Sequence, residues 1–399
     1  MSASDLSTVR PTSGGTTDAL RRSNLASVLG LVHRDGALSR SDLTRLTGLN
    51  RSTVGDLVAE LAGLRLVEVD EAPAGGRAGR PSPVVRVSER VAAVAVNPEV
   101  DAIIVGLVGL GGRVLKRIRI ETASARSVAE TVTLASAGIA GMLAGETTRV
   151  VGLGVAVPGQ VRLSDGMVRE ATHFGWVDEP LAELLAEATG HRVWAANAAV
   201  LGLRAESAFG AGRGVDDLVY MIGGASGIGG GAIGAGRLLT GAAGYAGEFG
   251  HTFVQSDGRH CSCGARGCLE AEITQAELLA AVGLESAEAA SLAERLAATD
   301  DPAALRVLER GYRLLQIAAR NAVNVFNPSA VVLGGFLAAL HRGARAHGAP
   351  DLLEEAVRST REGVTVAEAA LGQDQLLIGA AELVFAELIG DPARALAAA

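Results

Sequence analysis

Apolar residues in the first ninety positions recur at helical spacing and then alternate over two short segments. Three stripes follow one another: Leu25, Val28, Leu29 and Val32; then Leu43 and Leu46; then Val54, Leu57 and Leu61. Gly36 and Gly48 separate the stripes, and Ser39 and Asn50 are placed to cap the second and third helices. Residues 64–69 and 83–87 are β-like. The pattern predicts three helices followed by a β-ribbon.

This order of elements is that of a winged helix-turn-helix, in which the third helix places its N-terminal residues in a DNA major groove. Arg51 is the strongest candidate for reading a base, because a guanidinium can bind guanine O6 and N7 together. Further contacts to bases or phosphates are expected from Arg40, Arg45, Asn50, Ser52 and Thr53.

The glycine-rich stretch GGRAGRP at 75–81 forms the predicted tip of the wing. It presents Arg77 and Arg80, which suit the negative potential of a narrow minor groove. Taken alone, this stretch is also typical of a solvated linker loop. The three helices, taken alone, are also typical of a small protein-interaction module. The two features together favour DNA binding.

After residue 90 the pattern changes to alternating strands and helices. Strands are expected at 91–96, 102–110, 113–121, 150–157, 191–196 and 330–334, a strand–glycine turn–strand at 218–241, and helices at 127–143, from 197, within 273–325 and at 374–390. The fold class is α/β with two lobes. The predicted domains are an arm at 1–20, the winged unit at 21–90, a first lobe at 91–195 with the closing helix 374–390, and a second lobe at 196–373.

Charge limits where nucleic acid could bind. The net charge is −8, yet residues 1–95 contain 12 arginines against 10 acidic residues, so any DNA contact belongs to the first quarter. No apolar run approaches the ~18 residues of a membrane-spanning helix, and the N-terminus has no apolar core of a secretory signal. We expect a cytoplasmic protein without membrane contact.

All three cysteines lie in the stretch HCSCGARGCLE at 260–270. With His251 they make a set of three thiolates and one imidazole, as a closed tetrahedral zinc site requires: His251, Cys261, Cys263 and Cys268. A C-x-C redox pair or free thiols are the alternatives in a reducing compartment. Closed coordination predicts structural zinc without a hydrolytic role.

The longer stretch at 244–270, with G-H-x9-C-x-C-G-x2-G-C-x-E inside it, resembles the signature of the ROK family of sugar-responsive repressors and sugar kinases. Residues 151–159, 197–214 and 321–335 match the family as well. From about 21 to 390 the chain resembles the repressor branch, of the xylose and N-acetylglucosamine repressor type. The resemblance implies a two-lobed actin-like, hexokinase-like (ribonuclease H-like) body and agrees with structural zinc.

The resemblance also implies a sugar site. Family glutamates at the positions of Glu248 and Glu270 contact sugar hydroxyls, and the histidine at His251 lies beside them. Asn197 is retained from the family's N-D-A-N motif, and His173 is a candidate polar contact. Ordinary surface glutamates and a structural histidine are the alternatives.

Two departures from the family concern phosphoryl transfer. Kinases carry a D-x-G-G-T-K-like phosphate loop at the first strand, where this chain has Asn97–Ala102, without glycine or lysine. Ala195 stands where the family has its catalytic aspartate, and alanine cannot accept the proton of a sugar hydroxyl. Trp194 stands in place of the preceding asparagine, where it could stack on a sugar or fill the cleft. The glycine-rich turn at 225–231, ASGIGGG, resembles the family's second phosphate-binding turn more closely than the first-strand stretch resembles the phosphate loop. The sequence therefore argues against kinase activity.

The sequence favours a sequence-specific DNA-binding regulator, a repressor of sugar uptake or catabolism genes. Its partners would be an operator, a sugar or sugar phosphate between the lobes, and a second copy in a homodimer or homotetramer. One alternative is an ATP-dependent hexose or N-acylhexosamine kinase with a DNA-binding head. Another is a partner-controlled regulator with a vestigial sugar site, which the altered positions Trp194 and Ala195 favour.

Overall fold

The computed structural model describes residues 17–70, 82–122 and 124–397. The N-terminal part, here called the head (residues 17–90), contains three helices and one small antiparallel sheet of strand order β1-β3-β2. Its elements are α1 (Thr17–Asp35), β1 (Leu38–Ser39), α2 (Arg40–Thr47), α3 (Arg51–Gly63), β2 (Val67–Asp70) and β3 (Val84–Val87).

Local sequence signals account for the head. Ser39 caps α2 by accepting a hydrogen bond from the Asp42 amide, and Gly48 turns the chain in the left-handed region at φ 70°. Asn50 caps α3 as the sequence predicts. The predicted apolar stripes are buried with one exception: Leu46 is 44% exposed.

That prediction for Leu46 is wrong because α2 has only eight residues and packs on the rest of the head through Leu43. Spacing of three residues therefore does not bring Leu46 against a neighbour. The segment with Arg77 and Arg80 lies outside the described residues, so the roles expected of these two arginines remain predictions.

The first lobe is built on a five-stranded sheet of order β11-β7-β4-β5-β6, in which β4, β7 and β11 run parallel. A three-stranded antiparallel sheet, β10-β9-β8, stands beside it and was not predicted. The elements are β4 (Val91–Pro98), β5 (Ala102–Gly109), β6 (Arg113–Glu121), α4 (Val128–Leu143), β7 (Arg149–Val157), β8 (Gln160–Arg162), β9 (Met167–Ala171), β10 (Trp176–Glu179), α5 (Leu181–Thr189) and β11 (Val193–Asn197).

The second lobe is built on a mixed sheet of order β14-β13-β12-β15-β16, and the closing helix α13 returns to the first lobe. The elements are α6 (Ala198–Phe209), β12 (Leu218–Gly224), β13 (Gly227–Gly234), β14 (Arg237–Leu238), α7 (Leu269–Glu272), α8 (Gln275–Ala281), α9 (Leu292–Ala298), α10 (Pro302–Phe326), β15 (Ala330–Gly334), α11 (Gly335–Ala346), α12 (Arg358–Arg361), β16 (Thr365–Glu368), α13 (Gln375–Gly390) and α14 (Pro392–Ala397).

The hydrophobic core joins the head to the body. One cluster of buried residues contains Leu29 and Val32 of α1, Leu201 of α6, and Phe385 and Ile389 of α13. Separate clusters fill the other face of the first sheet and the second lobe. The head is therefore packed on the body through a shared core. No helix among the described residues has the length and apolar character to cross a membrane.

Close packing of α13 on β7 gives a test of this core. A Cβ on Gly154 would lie 1.9 Å from the Ala380 carbonyl oxygen, so we expect Gly154→Ala to destabilise the first lobe by roughly 1–3 kcal/mol. Gly141→Ala in α4 is the control: apart from the backbone of α4 itself, no heavy atom lies within 4 Å of the added Cβ. Urea unfolding followed by the fluorescence of Trp176 and Trp194 measures both changes. Equal midpoints for the two variants would contradict the packing described.

Candidate ligand cavity and metal centre

A cavity of about 180 Å³ opens between the two lobes. The segments that follow β4, β7 and β11 form one wall, and the β12–β13 turn with the cysteine-rich loop forms the other. Carboxyl ends of parallel strands meet at one edge of a sheet, and ligands bind characteristically there. The topology thus concentrates polar side chains at this place.

The five residues predicted to contact sugar all line this cavity: His173, Asn197, Glu248, His251 and Glu270. They come from separate segments of both lobes. His173 follows β9, Asn197 ends β11, Glu248 precedes a 3-10 turn at Phe249–His251, and Glu270 lies in α7. The structure brings the predicted set together.

Glu270 connects several parts of the cavity. Its carboxylate accepts hydrogen bonds from the Ile228 amide at 3.3 Å and the Ser262 hydroxyl at 3.3 Å, and it lies 3.5 Å from His173 Nε2. Burial raises the pKa of Glu270, but the hydrogen bond with His173 and the charge of His251 outweigh it and lower the pKa below the usual value. Glu270 therefore favours its ionised form and orients the groups around it.

Glu248 lies near Nε2 of His251, whereas Glu270 lies near Nδ1 of the same ring. Gln160 Nε2 donates to its carboxyl at 3.4 Å, and His251 Nε2 is 3.9 Å away. Burial raises the pKa of Glu248 above its usual value. The other ring nitrogen of His251, Nδ1, faces the cysteines, so this one histidine connects the cavity to the thiol cluster.

The four predicted metal ligands form a compact cluster in which the ligand atoms all lie within 4.8 Å of one another. His251 Nδ1 is 3.5 Å from Cys261 Sγ, and Cys263 Sγ is 3.8 Å from Cys268 Sγ. A tetrahedral site with Zn–S near 2.3 Å and Zn–N near 2.0–2.1 Å has edges of about 3.8 Å and about 3.5 Å. The donor set could therefore hold a metal ion of that geometry.

The close approach of the three thiols disfavours their ionised forms in the absence of a cation. Burial and the two neighbouring thiols raise the pKa of Cys268 to about 12. A cation at the centre is what would stabilise several thiolates so close together.

The two substituted positions of the family motif lie outside the cavity lining. Trp194 packs toward α13, and the Arg192 guanidinium lies 4.7 Å from the centre of its ring. Ala195 is 4% exposed and belongs to the core of the first lobe. Neither role left open for Trp194, stacking on a sugar or filling the cleft, is seen in this structure, because its side chain packs against the core cluster that contains α13 and does not line the cavity.

Sequence reasoning missed Glu99, Gln160, Thr172 and Ser226, which also line the cavity. Glu99 lies in the β4–β5 turn, where its carboxyl accepts a hydrogen bond from the Ser226 hydroxyl of the second lobe. The Val100 amide donates to the same hydroxyl at 3.0 Å. Burial raises the pKa of Glu99. A polar residue directly after a buried strand is a signal that the sequence does offer.

Arg126 fixes the turn that carries Glu99 through hydrogen bonds to its backbone. Arg126 is 8% exposed and donates to the carbonyl oxygens of Glu99, at 2.6 Å, and Ala102. Thr172 and Ser262 face each other across the lobes at 3.1 Å between hydroxyl oxygens. These contacts hold the two walls of the cavity together.

Five of the predicted DNA-contacting residues lie at the end of α2 or the start of α3: Arg45, Asn50, Arg51, Ser52 and Thr53. Arg45 and Arg51 are exposed, and Ser52 donates to Asn50 Oδ1 at 2.7 Å at the start of α3. Thr53 donates its amide to the same oxygen. Arg40 is half-buried, and its Nε is buried without a hydrogen-bond partner, so it presents less of its charge than the sequence suggests.

The pair of His173 and Glu270 gives a test of the cavity geometry. The hydrogen bond that His173 donates to the Glu270 carboxylate raises the pKa of His173 above its ordinary value of 6.5, so Glu270→Gln should lower the pKa of His173. NMR titration of the histidine side chains measures the change. His341, whose pKa is lowered by burial in the second lobe, serves as the internal control and should not move. An unchanged pKa of His173 in Glu270→Gln would show that the two side chains are not in contact.

Comparison with known proteins places the chain in a family. Residues 94–387 match the ROK family. The chain is 34% identical over 252 residues to a glucokinase of Thermotoga maritima, covering 58% of this chain and 77% of that one. It is 28% identical over 343 residues to a xylose repressor of Caldicellulosiruptor bescii, covering 80% and 84%. The crystal structure of a ROK family transcriptional regulator, a homolog of the Escherichia coli MLC protein, has the same fold with a TM-score of 0.73, 23% identity, and coverage of 96% of this chain and 100% of that chain. The chain belongs to the ROK family.

Proposed function

We propose that this protein is a DNA-binding transcriptional repressor of genes for sugar uptake or catabolism, controlled by a sugar that binds between its lobes. The observation that carries the proposal is the joining, in one chain, of a helical head to a polar interlobe cavity. The similarity to a xylose repressor covers 80% of the chain and so extends beyond the 94–387 match. The proposed domains are 21–90, 91–195 with 374–390, and 196–373, after an arm at 1–20.

The head acts as a winged helix-turn-helix, with α3 in the major groove. Arg51 reads a base edge from the first turn of α3, while Arg45, Asn50, Ser52 and Thr53 support the same surface. Arg77 and Arg80 would reach the minor groove. Two such heads in a dimer or tetramer bind half-sites spaced by whole turns of DNA.

The role of Arg51 can be measured directly. Arg51→Ala should weaken binding to the operator by about 1–3 kcal/mol and relax specificity at one base pair. Fluorescence anisotropy with the DNA upstream of the protein's own gene, and with single-base variants of it, gives both quantities. Arg320→Ala, an exposed arginine paired with Glu355 in the second lobe, is the matched control. A loss of affinity equal in the two variants would remove Arg51 from the interface.

The cavity chemistry favours an uncharged polyol as effector. Sugar hydroxyls donate to carboxylates and accept from amides and imidazoles, and the lining offers both kinds of partner. Four carboxyl groups line the cavity: Glu99, Glu170, Glu248 and Glu270. Among the residues that the structure describes, no arginine or lysine lines it. Arginine and lysine are the usual partners of phosphate. We therefore propose an unphosphorylated sugar rather than a sugar phosphate.

A panel of glucose, xylose, glucosamine, N-acetylglucosamine and their phosphorylated forms tests this choice. We expect one parent sugar to release the protein from its operator, and its phosphorylated form to act at least about tenfold more weakly, a difference of ~1.4 kcal/mol. Glu248→Gln should weaken the response, whereas Glu309→Gln on α10 should not. Operator binding that no sugar changes would favour a partner-controlled regulator, and release by a phosphate alone would contradict the proposed ligand class.

Kinase activity is the second candidate, because the glucokinase of Thermotoga maritima is 34% identical. Two features argue against it: Ala195 cannot accept a proton, and Glu99 bonded to Ser226 stands where a phosphate loop would be required. Formation of ADP from ATP by the pure protein, with each sugar of the panel, decides the question. Measurable turnover would establish the kinase.

The proposed metal is structural zinc, held by His251, Cys261, Cys263 and Cys268. A bound zinc ion would contribute folding free energy to a loop that has no regular secondary structure between Thr252 and Cys268. His251 would use Nδ1 toward the metal and Nε2 toward Glu248, the arrangement by which a carboxylate fixes a ligating histidine. The metal loop in turn carries Ser262, which holds Glu270.

Removal of one ligand tests the assignment. Cys263→Ser should lower the zinc content from one ion per chain and reduce the thermal stability of the second lobe. Elemental analysis and thermal unfolding measure the two effects. Ser262→Ala, between two ligands in sequence, is the control and should retain the metal. One tightly bound ion per chain in Cys263→Ser would contradict the ligand set.

A further inference from the structure

We propose that helix α6 transmits the state of the cavity to the DNA-binding head, an inference that rests on the proposed function. The N-terminal end of α6 belongs to the cavity. Asn197, Ala198 and Ala199 line it, and the Asn197 side chain caps the helix by accepting from the Val200 amide at 3.0 Å. Asn197 Nδ2 donates to the Gly159 carbonyl oxygen at 2.9 Å, in the segment that follows β7 in the same wall. A ligand that displaces this wall displaces the start of the helix.

The C-terminal end of α6 contacts the head. The ring of Phe209, its last residue, meets the ring of His33 in α1 edge to face, with centroids 5.3 Å apart. His33 is 2% exposed and is fixed on two sides: it accepts from the Gly111 amide at Nδ1, at 3.0 Å, and its Nε2 lies 3.0 Å from a Glu382 carboxylate oxygen. Phe209 also covers Gly112, where an added Cβ would lie 3.0 Å from the ring.

A second contact joins the segment after α6 to the same end of α1. Arg213 Nη2 lies 2.7 Å from Asp35 Oδ1, and Asp35 is the last residue of α1. Both side chains are substantially exposed, so this ion pair adds little energy, and the ring contact at His33 contributes more. Since α1 packs on α3 through the head core, its displacement reorients the DNA-reading surface.

The helix is held as a stiff unit between these ends. Glu206 is fully buried, and its carboxylate accepts from the amides of Ala211, Ala370 and Leu371 at 2.7, 3.0 and 2.9 Å. A Cβ on Gly379 of α13 would lie 2.2 Å from the Leu201 carbonyl oxygen, so α6 and α13 are in close backbone contact. Twelve residues span about 18 Å along a helix axis. Packed helices shift as bodies rather than bend.

A double-mutant cycle tests the relay without any ligand. Asn197→Asp keeps a capping side chain but removes the amide that donates to Gly159, and Phe209→Leu keeps an apolar contact but removes the ring edge. Residues more than about 10 Å apart usually have additive effects. We expect the operator dissociation constants of the two single variants and the double variant to deviate from additivity by about two- to thirtyfold. The control cycle pairs Asn197→Asp with Arg320→Ala, which breaks an ion pair with Glu355 in the second lobe and should be additive.

The sugar response of the same proteins separates this inference from the proposed function. Phe209→Leu should bind the releasing sugar as the unaltered protein does, yet lose at least about half of the sugar-induced fold-change in operator affinity. Arg213→Asp should lose a smaller part, and Asp35→Arg in the same chain should restore it. Additivity in the first cycle, or a full sugar response in Phe209→Leu, overturns the relay. Coupling in the cycle with no sugar response in the unaltered protein overturns only the proposed effector.

Discussion

Hydrogen bonds across the interlobe cavity are the interaction on which the rest of this structure depends. His173 meets Glu270, Ser226 meets Glu99, and Gln160 meets Glu248, each time with one partner from each lobe. These are also the groups with which a polyol would exchange hydrogen bonds. A ligand in the cavity therefore competes with, or completes, the contacts that set the distance between the lobes.

Residues outside the first layer of the cavity hold its polar groups in place through hydrogen bonds. Arg126 anchors the turn of Glu99, and the cysteine-rich loop fixes Ser262 and through it Glu270. Buried polar contacts of this kind are costly to leave unsatisfied, which limits the arrangements that the two walls can adopt. Because α6 begins in one wall and its last residue contacts the head, the proposed relay would extend the same restriction to the proposed DNA-binding surface.

Long periodic segments and the cysteine-rich motif were predictable from the sequence, and short elements were not. Helical stripes such as Val54, Leu57 and Leu61 bury as expected, and the ligand atoms of His251 and the cysteines converge as their spacing indicates. Strands β8, β9 and β10 have three to five residues each, too few for alternation to show, yet the loops and ends of this sheet supply Gln160, Thr172 and His173. The position of Glu99 directly after a buried strand was a usable signal, but its contact with Ser226 was not predictable, because the two residues are 127 positions apart in the sequence.

Reciprocal linkage between cavity and head is the central claim, and one titration tests it most directly. The affinity of the releasing sugar is measured for the free protein and for the protein saturated with operator DNA. If the two sites are coupled, operator must weaken sugar binding by the same factor by which sugar weakens operator binding. That equality is the predicted result. Equal sugar affinity in the free and operator-bound protein would contradict the account.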